Sequence, residues 1–222
     1  MDTETIPKTN RVISYVGLKT VLRPVNPEQD LENVTRWIND ETINQFLTVI
    51  SPLTIDQERN FLKSSTQNPS IVLYAIEDKF TGQHIGNMSL NIINWIDRTA
   101  MTGSIIGEKT HWGKGYGTDA KKLLLNHAFN RLNLRLIQSS VIEFNDRSAV
   151  CLEKCGYKYE FTRKEVYYRD GKYWDQKLYR IFREEFDPIW KQYQIDLQNE
   201  SDVGHICDRS CDGQDCPGIG VS

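Results

Sequence analysis

The most informative segment of this 222-residue chain is Gly103-Ser-Ile-Ile-Gly-Glu-Lys-Thr-His-Trp-Gly-Lys-Gly-Tyr-Gly-Thr-Asp-Ala120. Three of its glycines alternate with other residues, at positions 113, 115 and 117, between a strand-like run and a helix-like run. Glycine has no Cβ, so the backbone can approach a ligand closely there. Several amide groups would then point into one concavity at a helix N-terminus, which suits a phosphate or pyrophosphate group.

Two common phosphate-binding motifs do not fit this segment. The P-loop needs Gly-Lys-Ser/Thr, whereas Tyr116 follows Gly115 and Thr118 follows Gly117. The dinucleotide fingerprint needs a third glycine three residues after the second and belongs to an early βαβ unit, but this segment follows a run of predicted strands. The glycines therefore indicate a different kind of cofactor loop, or a tight helix entry alone.

The segments before this loop predict two helices and four strands. A proline in the first helical turn after Asn26 and the pair Thr54 and Gln57, which suits a capping box, mark the two helix starts. Alternating and β-branched runs mark the strands. The predicted strands are 16–23, 71–76, 84–93 and 99–107, and the first helix ends near residue 39.

The segments after the loop predict two more helices and three strands. Apolar residues at helical spacing continue from Ala120 to Leu132. A strand over 136–144, a helix over 148–154 ended by Gly156, and a hairpin turning at Asp170-Gly171 follow. The order β-α-α-β-β-β-α-β-α-β-β predicts an α/β fold, a sandwich with a mixed sheet.

Composition excludes several functional classes. The net charge of −3 gives no overall field that would attract nucleic acid or anionic lipid, so neither partner is expected. The longest aliphatic or aromatic run, residues 71–76, is far shorter than a membrane span, and the acidic N-terminus is unlike a signal peptide. We therefore expect a cytoplasmic protein with no membrane contact.

The last residues differ in composition from the rest. From residue 195 onward there are six acidic side chains and one arginine, and three of the five cysteines lie here. His205, Cys207, Cys211 and Cys216 are enough ligands for one zinc ion, but the segment has no Cys-x2-Cys pair and few apolar residues. The composition favours a disordered acidic tail over a metal site, and no metal is predicted.

Residues 103–120 resemble motif A of the GNAT family of N-acetyltransferases, especially the branch that acetylates ribosomal-protein N-termini and polyamines. Asn145-Asp-Arg-Ser-Ala-Val-Cys-Leu-Glu-Lys-Cys-Gly-Tyr157 resembles motif B of the same family. The resemblance covers about residues 17–184. It implies a GNAT-like mixed, mostly antiparallel sheet flanked by helices, in a domain over 11–184, followed by a C-terminal helix over 185–199 and the acidic tail over 200–222.

The resemblance implies an acyltransferase that moves an acetyl group from acetyl-CoA to a primary amine of a protein N-terminus or a polyamine. The backbone of Ile105, Ile106 and Gly107 would pair with the pantetheine arm. Asn145 would hydrogen-bond that arm, or would act as an ordinary helix cap. The remaining predicted cofactor contacts surround the pyrophosphate, and they are Trp112, Gly113, Lys114, Gly115, Tyr116, Gly117 and Thr118.

The residues expected to carry the chemistry depart from the family pattern. Many members have a tyrosine acid where this chain has Leu152 and a glutamate base where it has Met101. Ser148 is therefore the candidate donor to the departing thiolate, or simply a first-turn helix serine. Glu143 and Glu165 are candidate bases, although most glutamates on strands are solvated. Glu41 is a weaker candidate for the acceptor pocket.

Some interpretations stay open at this stage. The acceptor could be an aminosugar or aminoglycoside, because acceptor pockets are built from variable loops, or the domain could bind acyl-CoA without catalysis. The aromatic hairpin over 167–174 suits cross-strand packing, substrate stacking or contact with a second subunit, so a homodimer is not decided. His111 is interpreted as a surface residue, His127 as a helix-packing residue, and Cys151 and Cys155 as buried thiols.

Overall fold

The computed structural model describes residues 12–49 and 52–209, with side chains described up to residue 200. Eight strands and six α-helices make up this part of the chain, together with a 3-10 helix over Lys109–His111 and a π-helical segment over His127–Arg131. In chain order they are β1 (Tyr15–Val16), β2 (Thr20–Pro24), α1 (Leu31–Ile38), α2 (Glu41–Asn44), α3 (Ile55–Gln67), β3 (Val72–Asp78), β4 (His84–Asn94), β5 (Thr99–Ile106), α4 (Tyr116–Asn126), β6 (Leu136–Ile142), α5 (Asp146–Lys154), β7 (Lys158–Arg169), β8 (Lys172–Phe182) and α6 (Arg183–Arg209).

One sheet runs through the molecule in the order β1-β2-β3-β4-β5-β6-β8-β7. All neighbouring pairs are antiparallel except β5 and β6, which are parallel. The main core lies between this sheet and helices α4, α5 and α6, where Leu124, Phe129 and Phe186 are fully buried. The expected α/β class, with its mostly antiparallel sheet and flanking helices, is confirmed.

The structure contains more elements than the sequence predicts. Strand β1 and the four-residue helix α2 are additional, and α6 runs to Arg209, ten residues beyond the predicted helix end at 199. In α6, Phe186, Trp190 and Tyr193 recur at helical spacing and pack on the core, which explains why the helix forms. The proposed limits of domain and tail remain predictions, and Cys211 and Cys216 lie outside the described residues.

Strands β5 and β6 separate after a short paired segment. Their parallel register covers Thr99 to Met101 against Leu136 to Gln138. Beyond it, β5 continues along β4 and β6 continues along β8, so the two strands open into a wedge. The part of β5 from Ser104 to Ile106 therefore has no strand neighbour in the described residues on the side of β6.

Helix α4 is held beside this wedge by the buried carboxylate of Asp119. Its Oδ2 accepts hydrogen bonds from the amides of Lys19 and Thr20 and from the Thr20 hydroxyl, at 3.0, 2.9 and 2.7 Å. Its Oδ1 accepts from the Leu18 amide at 3.2 Å and from the Tyr193 hydroxyl at 2.6 Å. One side chain thus connects α4 to the start of β2 and to α6.

Replacing Asp119 by Asn should lower the free energy of unfolding by about 2–3 kcal/mol, because the new amide NH2 group would face donors and leave buried groups unsatisfied. Urea unfolding followed by circular dichroism measures this change. Asp146→Asn is the control, since Asp146 is an exposed acid in the first turn of α5, and its effect should stay within about 0.5 kcal/mol. Equal losses in the two variants would contradict the anchoring role of Asp119.

Among the helices in residues 12–49 and 52–209, none has the length and apolar character needed to cross a bilayer.

Candidate active site

A cavity of about 450 Å³ opens at the wedge between β5 and β6. Its walls come from four regions: the end of β5, the glycine loop with the start of α4, the exposed side of α5, and the segment around α2. The lining includes Ser104, Ile105 and Ile106 from the first region, residues 111–113, 115–118 and 121 from the second, residues 145–148, 150–152 and 154 from the third, and Ile43, Phe46 and Leu47 from the fourth.

The glycine loop forms one end of this cavity. Gly113 and Gly115 have φ of +74° and +88°, a left-handed conformation that other residues rarely adopt. Gly115 is also the N-cap residue of α4, so the free amides of the first helical turn face the cavity. A Cβ at Gly113 would meet nothing within 4 Å, which leaves open space where an anion can approach the backbone.

The end of β5 is fixed by two tryptophans. The indole of Trp112 donates a hydrogen bond to the Ile106 carbonyl at 2.6 Å. Gly107 packs directly on Trp37, whose ring a Cβ would overlap, and Trp37 donates to Glu108 at 3.1 Å. These contacts keep the unpaired edge of β5 extended along the cavity.

Helix α5 presents its first turn to the same cavity. The Asn145 Oδ1 accepts a hydrogen bond from the Ser148 amide at 3.2 Å, which makes Asn145 the N-cap. Within residues 12–49 and 52–200, neither the Asn145 NH2 group nor the Ser148 hydroxyl has a hydrogen-bond partner. Both groups line the cavity and are free to bind a ligand.

Residues 19–158, more than half of the chain, match the family model for the acetyltransferase (GNAT) domain. The chain belongs to the GNAT family of acetyltransferases. It is an acyltransferase, and its co-substrate is acetyl-CoA.

Relatives and solved structures agree with this assignment. The chain is 21% identical to the uncharacterized N-acetyltransferase p20 of Bacillus licheniformis over 71% of this chain and 90% of that protein. It is 31% identical to the spermidine N(1)-acetyltransferase of Vibrio cholerae over 46% of this chain and 58% of that protein. The crystal structure of spermidine N-acetyltransferase from Vibrio cholerae, in complex with CoA and spermine, superposes with a TM-score of 0.70 at 24% identity, covering 75% of this chain and 97% of that chain.

The geometry of this GNAT domain fits acetyl-CoA. The left-handed glycines leave a cradle that a Cβ would fill, and the helix N-terminus beside it favours the negative pyrophosphate. The Ile106 carbonyl is already held by Trp112, and the other backbone groups of β5 that face the wedge are available to the amide groups of the pantetheine arm. Together these features hold a long molecule that has phosphate at one end and amides along its length.

Most of the predicted cofactor residues lie together in the cavity wall. These are Ile105, Ile106, Trp112, Gly113, Gly115, Tyr116, Gly117, Thr118 and Asn145, together with the catalytic candidate Ser148. Gly107 instead packs under Trp37, and the Lys114 carbonyl accepts a hydrogen bond from the Lys19 ammonium at 2.9 Å. Their roles in cofactor binding, like those of the lining residues, remain predictions.

The two glutamates predicted as bases do not line this cavity. Glu143 is exposed just beyond β6, and its backbone carbonyl accepts from Lys177. Glu165 is exposed on β7 with φ of +55°, within an irregular segment of the β7–β8 pairing. Glu41 also lies outside the lining. The structure therefore gives none of these carboxylates direct contact with the cavity.

His111 lies in the cavity wall rather than being a simple surface residue. Its Nε2 is 3.1 Å from the Asp78 Oδ2, which also accepts from the Tyr116 hydroxyl at 2.9 Å. Burial tends to raise the pKa of Asp78, but hydrogen bonds from the Phe80 amide and the Tyr116 hydroxyl outweigh it and lower that pKa. The ionised Asp78 thus holds two side chains of the cofactor loop in place.

Several lining residues were not predicted from the sequence. Lys121 faces the cavity from α4, Cys151 and Arg147 from α5, and Phe46 from the turn after α2. Helical periodicity contained the signal for two of them: Lys121 lies one turn after Gly117, and Cys151 lies three residues after Ser148. The contribution of Phe46 depends on tertiary packing, which a local pattern does not show.

Proposed function

We propose that this GNAT domain acetylates the N-terminal amine of a peptide or protein chain, with preference for an acceptor that carries negative charge. The broader activity is that of its family, acetyl transfer from acetyl-CoA to an amine. The acceptor class rests on the cavity wall formed by the segment around α2 and the start of α5, with the β7–β8 hairpin packed behind it.

That wall combines aromatic rings with cations. The Arg147 guanidinium lies 3.8 Å from the centre of the Trp112 ring and 5.3 Å from that of Phe46. In residues 12–49 and 52–200 it forms no ion pair or hydrogen bond, so its donors are available to a carboxylate. The aromatic contacts orient the guanidinium without neutralising its charge.

Further cations lie behind the same wall. Arg169 donates to the Leu47 carbonyl at 2.6 Å, and Lys172 lies 3.5 Å from the centre of the Trp174 ring. Among the described residues that line the cavity, Asp146 is the one acidic side chain, against the basic side chains of Lys121, Arg147 and Lys154. A polycationic acceptor would therefore meet repulsion here, whereas an acidic peptide would be attracted.

A polyamine is the second candidate acceptor. It is supported by the 31% identity with a spermidine N(1)-acetyltransferase and by the similar fold of a spermidine N-acetyltransferase in complex with CoA and spermine. The local charge of the cavity wall argues against it. The aminosugar alternative has no specific support from the residues that line the cavity.

The chemistry would depend mainly on orientation. Acetyl-CoA supplies the activated thioester when bound. The wall places a neutral amine against the end of the wedge, and the Ser148 hydroxyl donates a hydrogen bond to the departing sulfur. Because no carboxylate of Glu143 or Glu165 reaches the cavity directly, the amine proton would leave through solvent.

The acceptor proposal predicts that an acidic N-terminal peptide has a kcat/KM at least about tenfold above that of spermidine, because one charge-assisted contact contributes about 1.5–3 kcal/mol. Thiol release is measured with acidic peptides, neutral peptides, spermidine and an aminosugar. Arg147→Gln should remove most of the preference for acidic over neutral peptides. Lys109→Gln is the matched control, since Lys109 pairs with Asp40 outside the cavity lining.

A higher kcat/KM with spermidine would contradict the peptide assignment and support the polyamine. Preference for the aminosugar would support the third acceptor class. Acetyl-CoA binding by calorimetry without turnover of any acceptor would instead support a non-catalytic acyl-CoA-binding module.

A further inference from the structure

A buried lysine and two cysteines form a cluster behind the cavity wall, between α4 and α5. The Lys121 side chain is almost completely buried, with 2% exposure, yet it contributes to the cavity lining. Its ammonium lies 3.4 Å from the Thr102 hydroxyl and 3.3 Å from that of Ser104, which are long contacts. Among the side chains of residues 12–49 and 52–200, no carboxylate forms an ion pair with it.

A buried ammonium without a counter-charge is unfavourable. Burial accordingly lowers the pKa of Lys121, while negative charge on Cys151 or Cys155 raises it. The two thiols are thus the groups that can balance the lysine. The Lys121 ammonium and a cysteine thiolate stabilise each other, so each group is more readily charged when the other is charged.

Cys151 is the thiol that faces the cavity. Its Sγ accepts a hydrogen bond from the Thr118 hydroxyl at 3.6 Å, beside the positive end of the α4 dipole. Cys155, the C-cap residue of α5 one turn later, is fully buried, and its thiol donates to the Thr118 carbonyl at 3.6 Å. The accessible sulfur and its buried neighbour therefore have different environments.

These contacts determine which sulfur ionises. The neighbouring Cys155 thiol, then the Lys121 charge and the Thr118 hydroxyl, and finally Lys154, lower the pKa of Cys151 well below its usual value, although burial opposes this. Cys155 keeps its proton, which it donates to the Thr118 carbonyl, because the neighbouring Cys151 and burial raise its pKa. A thiolate at Cys151 is the nucleophilic form of cysteine.

We propose that Cys151 is a redox modification site in the cofactor cavity, where its thiolate, supported by Lys121, exchanges with a low-molecular-weight disulfide and closes the cavity to acetyl-CoA. The modification would block one step of the family activity, the binding of acetyl-CoA at the glycine loop. The identity of the acceptor amine plays no part in the inference.

The exchange is balanced in atoms and electrons. The Cys151 sulfur attacks one sulfur of the small disulfide, a new S–S bond forms, and the original S–S bond breaks. The other half leaves as a thiolate and takes a proton from water. Excess free thiol reverses the reaction, so the modification responds to the ratio of disulfide to thiol around the protein.

The adduct would occupy the space needed by the cofactor. Cys151 lies against the first turn of α4, since a Cβ at Gly117 would be 3.6 Å from its Sγ and 3.7 Å from the Ile106 side chain. A tripeptide or nucleotide attached there fills the wedge between the glycine loop and β5. Bound acetyl-CoA should in turn shield the sulfur from exchange.

The test measures adduct formation by mass spectrometry with peptide mapping, using the 222-residue chain at pH 6. Oxidised glutathione and coenzyme A disulfide are the two reagents, so the two sources of the disulfide are compared directly. We expect one adduct, located on Cys151, formed about tenfold faster than on an ordinary cysteine, because most ordinary thiols are protonated at this pH. Saturating acetyl-CoA should slow it at least about tenfold.

Substitutions of single residues distinguish an effect of the Lys121–Cys151–Cys155 cluster from simple exposure of the Cys151 sulfur. Lys121→Met should slow adduct formation about tenfold at pH 6, and its fold should persist because an apolar chain of similar size replaces a buried charge. Lys122→Met is the matched control, since Lys122 is the next residue on α4 and lies over the Tyr193 ring. Cys151→Ser should lose the fast adduct and retain only the roughly tenfold slower reaction of an ordinary cysteine, while Cys155→Ser should still form the fast adduct.

Equal rates for Lys121→Met and Lys122→Met would overturn the proposed ion pair. Adducts on the cysteines after residue 200, with none on Cys151, would overturn the site itself. A Cys151 adduct that leaves calorimetric acetyl-CoA binding intact would overturn the closure of the cavity. Acetyl transfer, expressed relative to each variant's own untreated rate, is a separate readout and depends on the acceptor.

Discussion

Replacing Gly115 by Glu is expected to weaken acetyl-CoA binding by about 100- to 1,000-fold, measured by isothermal titration calorimetry. Gly115 is the N-cap of α4 with φ of +88°, and its amide belongs to the predicted pyrophosphate cradle. A carboxylate about 4 Å from a phosphate oxygen costs about 4 kcal/mol at an effective dielectric constant of about 20, which is about three powers of ten. Lys19, whose ammonium would lie 3.9 Å from the new Cβ, offsets part of this repulsion.

A matched control separates charge in the cradle from strain in the backbone. Gly171 has φ of +80° in the β7–β8 turn, and a Cβ there would meet nothing within 4 Å. Gly171→Glu therefore introduces the same side chain at a similar left-handed position, away from the cavity. It should lose comparable stability and keep its affinity for acetyl-CoA. Parental affinity in Gly115→Glu would show that the pyrophosphate binds elsewhere.

The sequence predicts the glycine loop and several turns and helix starts well because their signals are local. Alternate glycines, a capping pair at Thr54 and Gln57, and an Asp-Gly turn each depend on a few neighbouring residues. The structure shows the capping box at Thr54 and left-handed φ at Gly113, Gly115 and Gly171. Where a backbone conformation requires a particular residue type, the residue type predicts the conformation.

The direction of a strand side chain is harder to predict, and Glu165 shows why. Alternation assigns each strand residue to a face, but the β7–β8 register shifts between Arg163 and Tyr167. Glu165 adopts φ of +55° within that segment, and its amide donates to the Asp175 carboxylate at 3.0 Å. An irregularity of this kind changes the faces of the residues around it, and no composition rule marks its position.

The length of α6 shows a second limit of sequence-based prediction, which is that composition alone does not show where a helix ends. The acidic residues near position 200 favoured a tail, yet Glu200 forms an ion pair with Lys79, with 2.7 Å between Nζ and Oε2. Lys79 lies 121 residues earlier, after β3, so the contact depends on how the helix docks on the sheet. Charge composition predicts solvation, and it does not show a partner that folding brings close.

The burial of Lys121 behind the cavity wall is also difficult to predict from the sequence. Lysine is rarely fully buried, so although helical spacing places Lys121 on the same side of α4 as Gly117, its burial behind the cofactor wall is not expected from its residue type. Its position follows from α4, where Ala120, Leu124 and Leu125 bury the neighbouring faces of the same helix. A periodic apolar pattern shows which face of a helix is buried. It does not show which charged residue will also be buried on that face.

Replacing Ser148 by Ala is expected to lower kcat by about 10²-fold, while the dissociation constant for acetyl-CoA stays within about twofold of the parent value. A positioned proton donor contributes about 10²- to 10⁴-fold, and the low end suits a hydroxyl that assists a thiolate which already leaves readily. The measurement is steady-state thiol release, with acetyl-CoA affinity from calorimetry. Ser148→Thr keeps the hydroxyl and should retain most of the turnover.

The alternative roles of Ser148 give different results in the same measurements. If Ser148 binds the cofactor, the dissociation constant rises and kcat changes little. If it is a first-turn helix serine, both values stay at the parent level and only stability falls. Glu143→Gln and Glu165→Gln complete the comparison, because neither carboxylate lines the cavity and both variants should turn over at nearly the parental rate. A loss of kcat in Glu143→Gln or Glu165→Gln would show that a carboxylate outside the cavity takes the amine proton through water, and orientation alone would then not account for the rate.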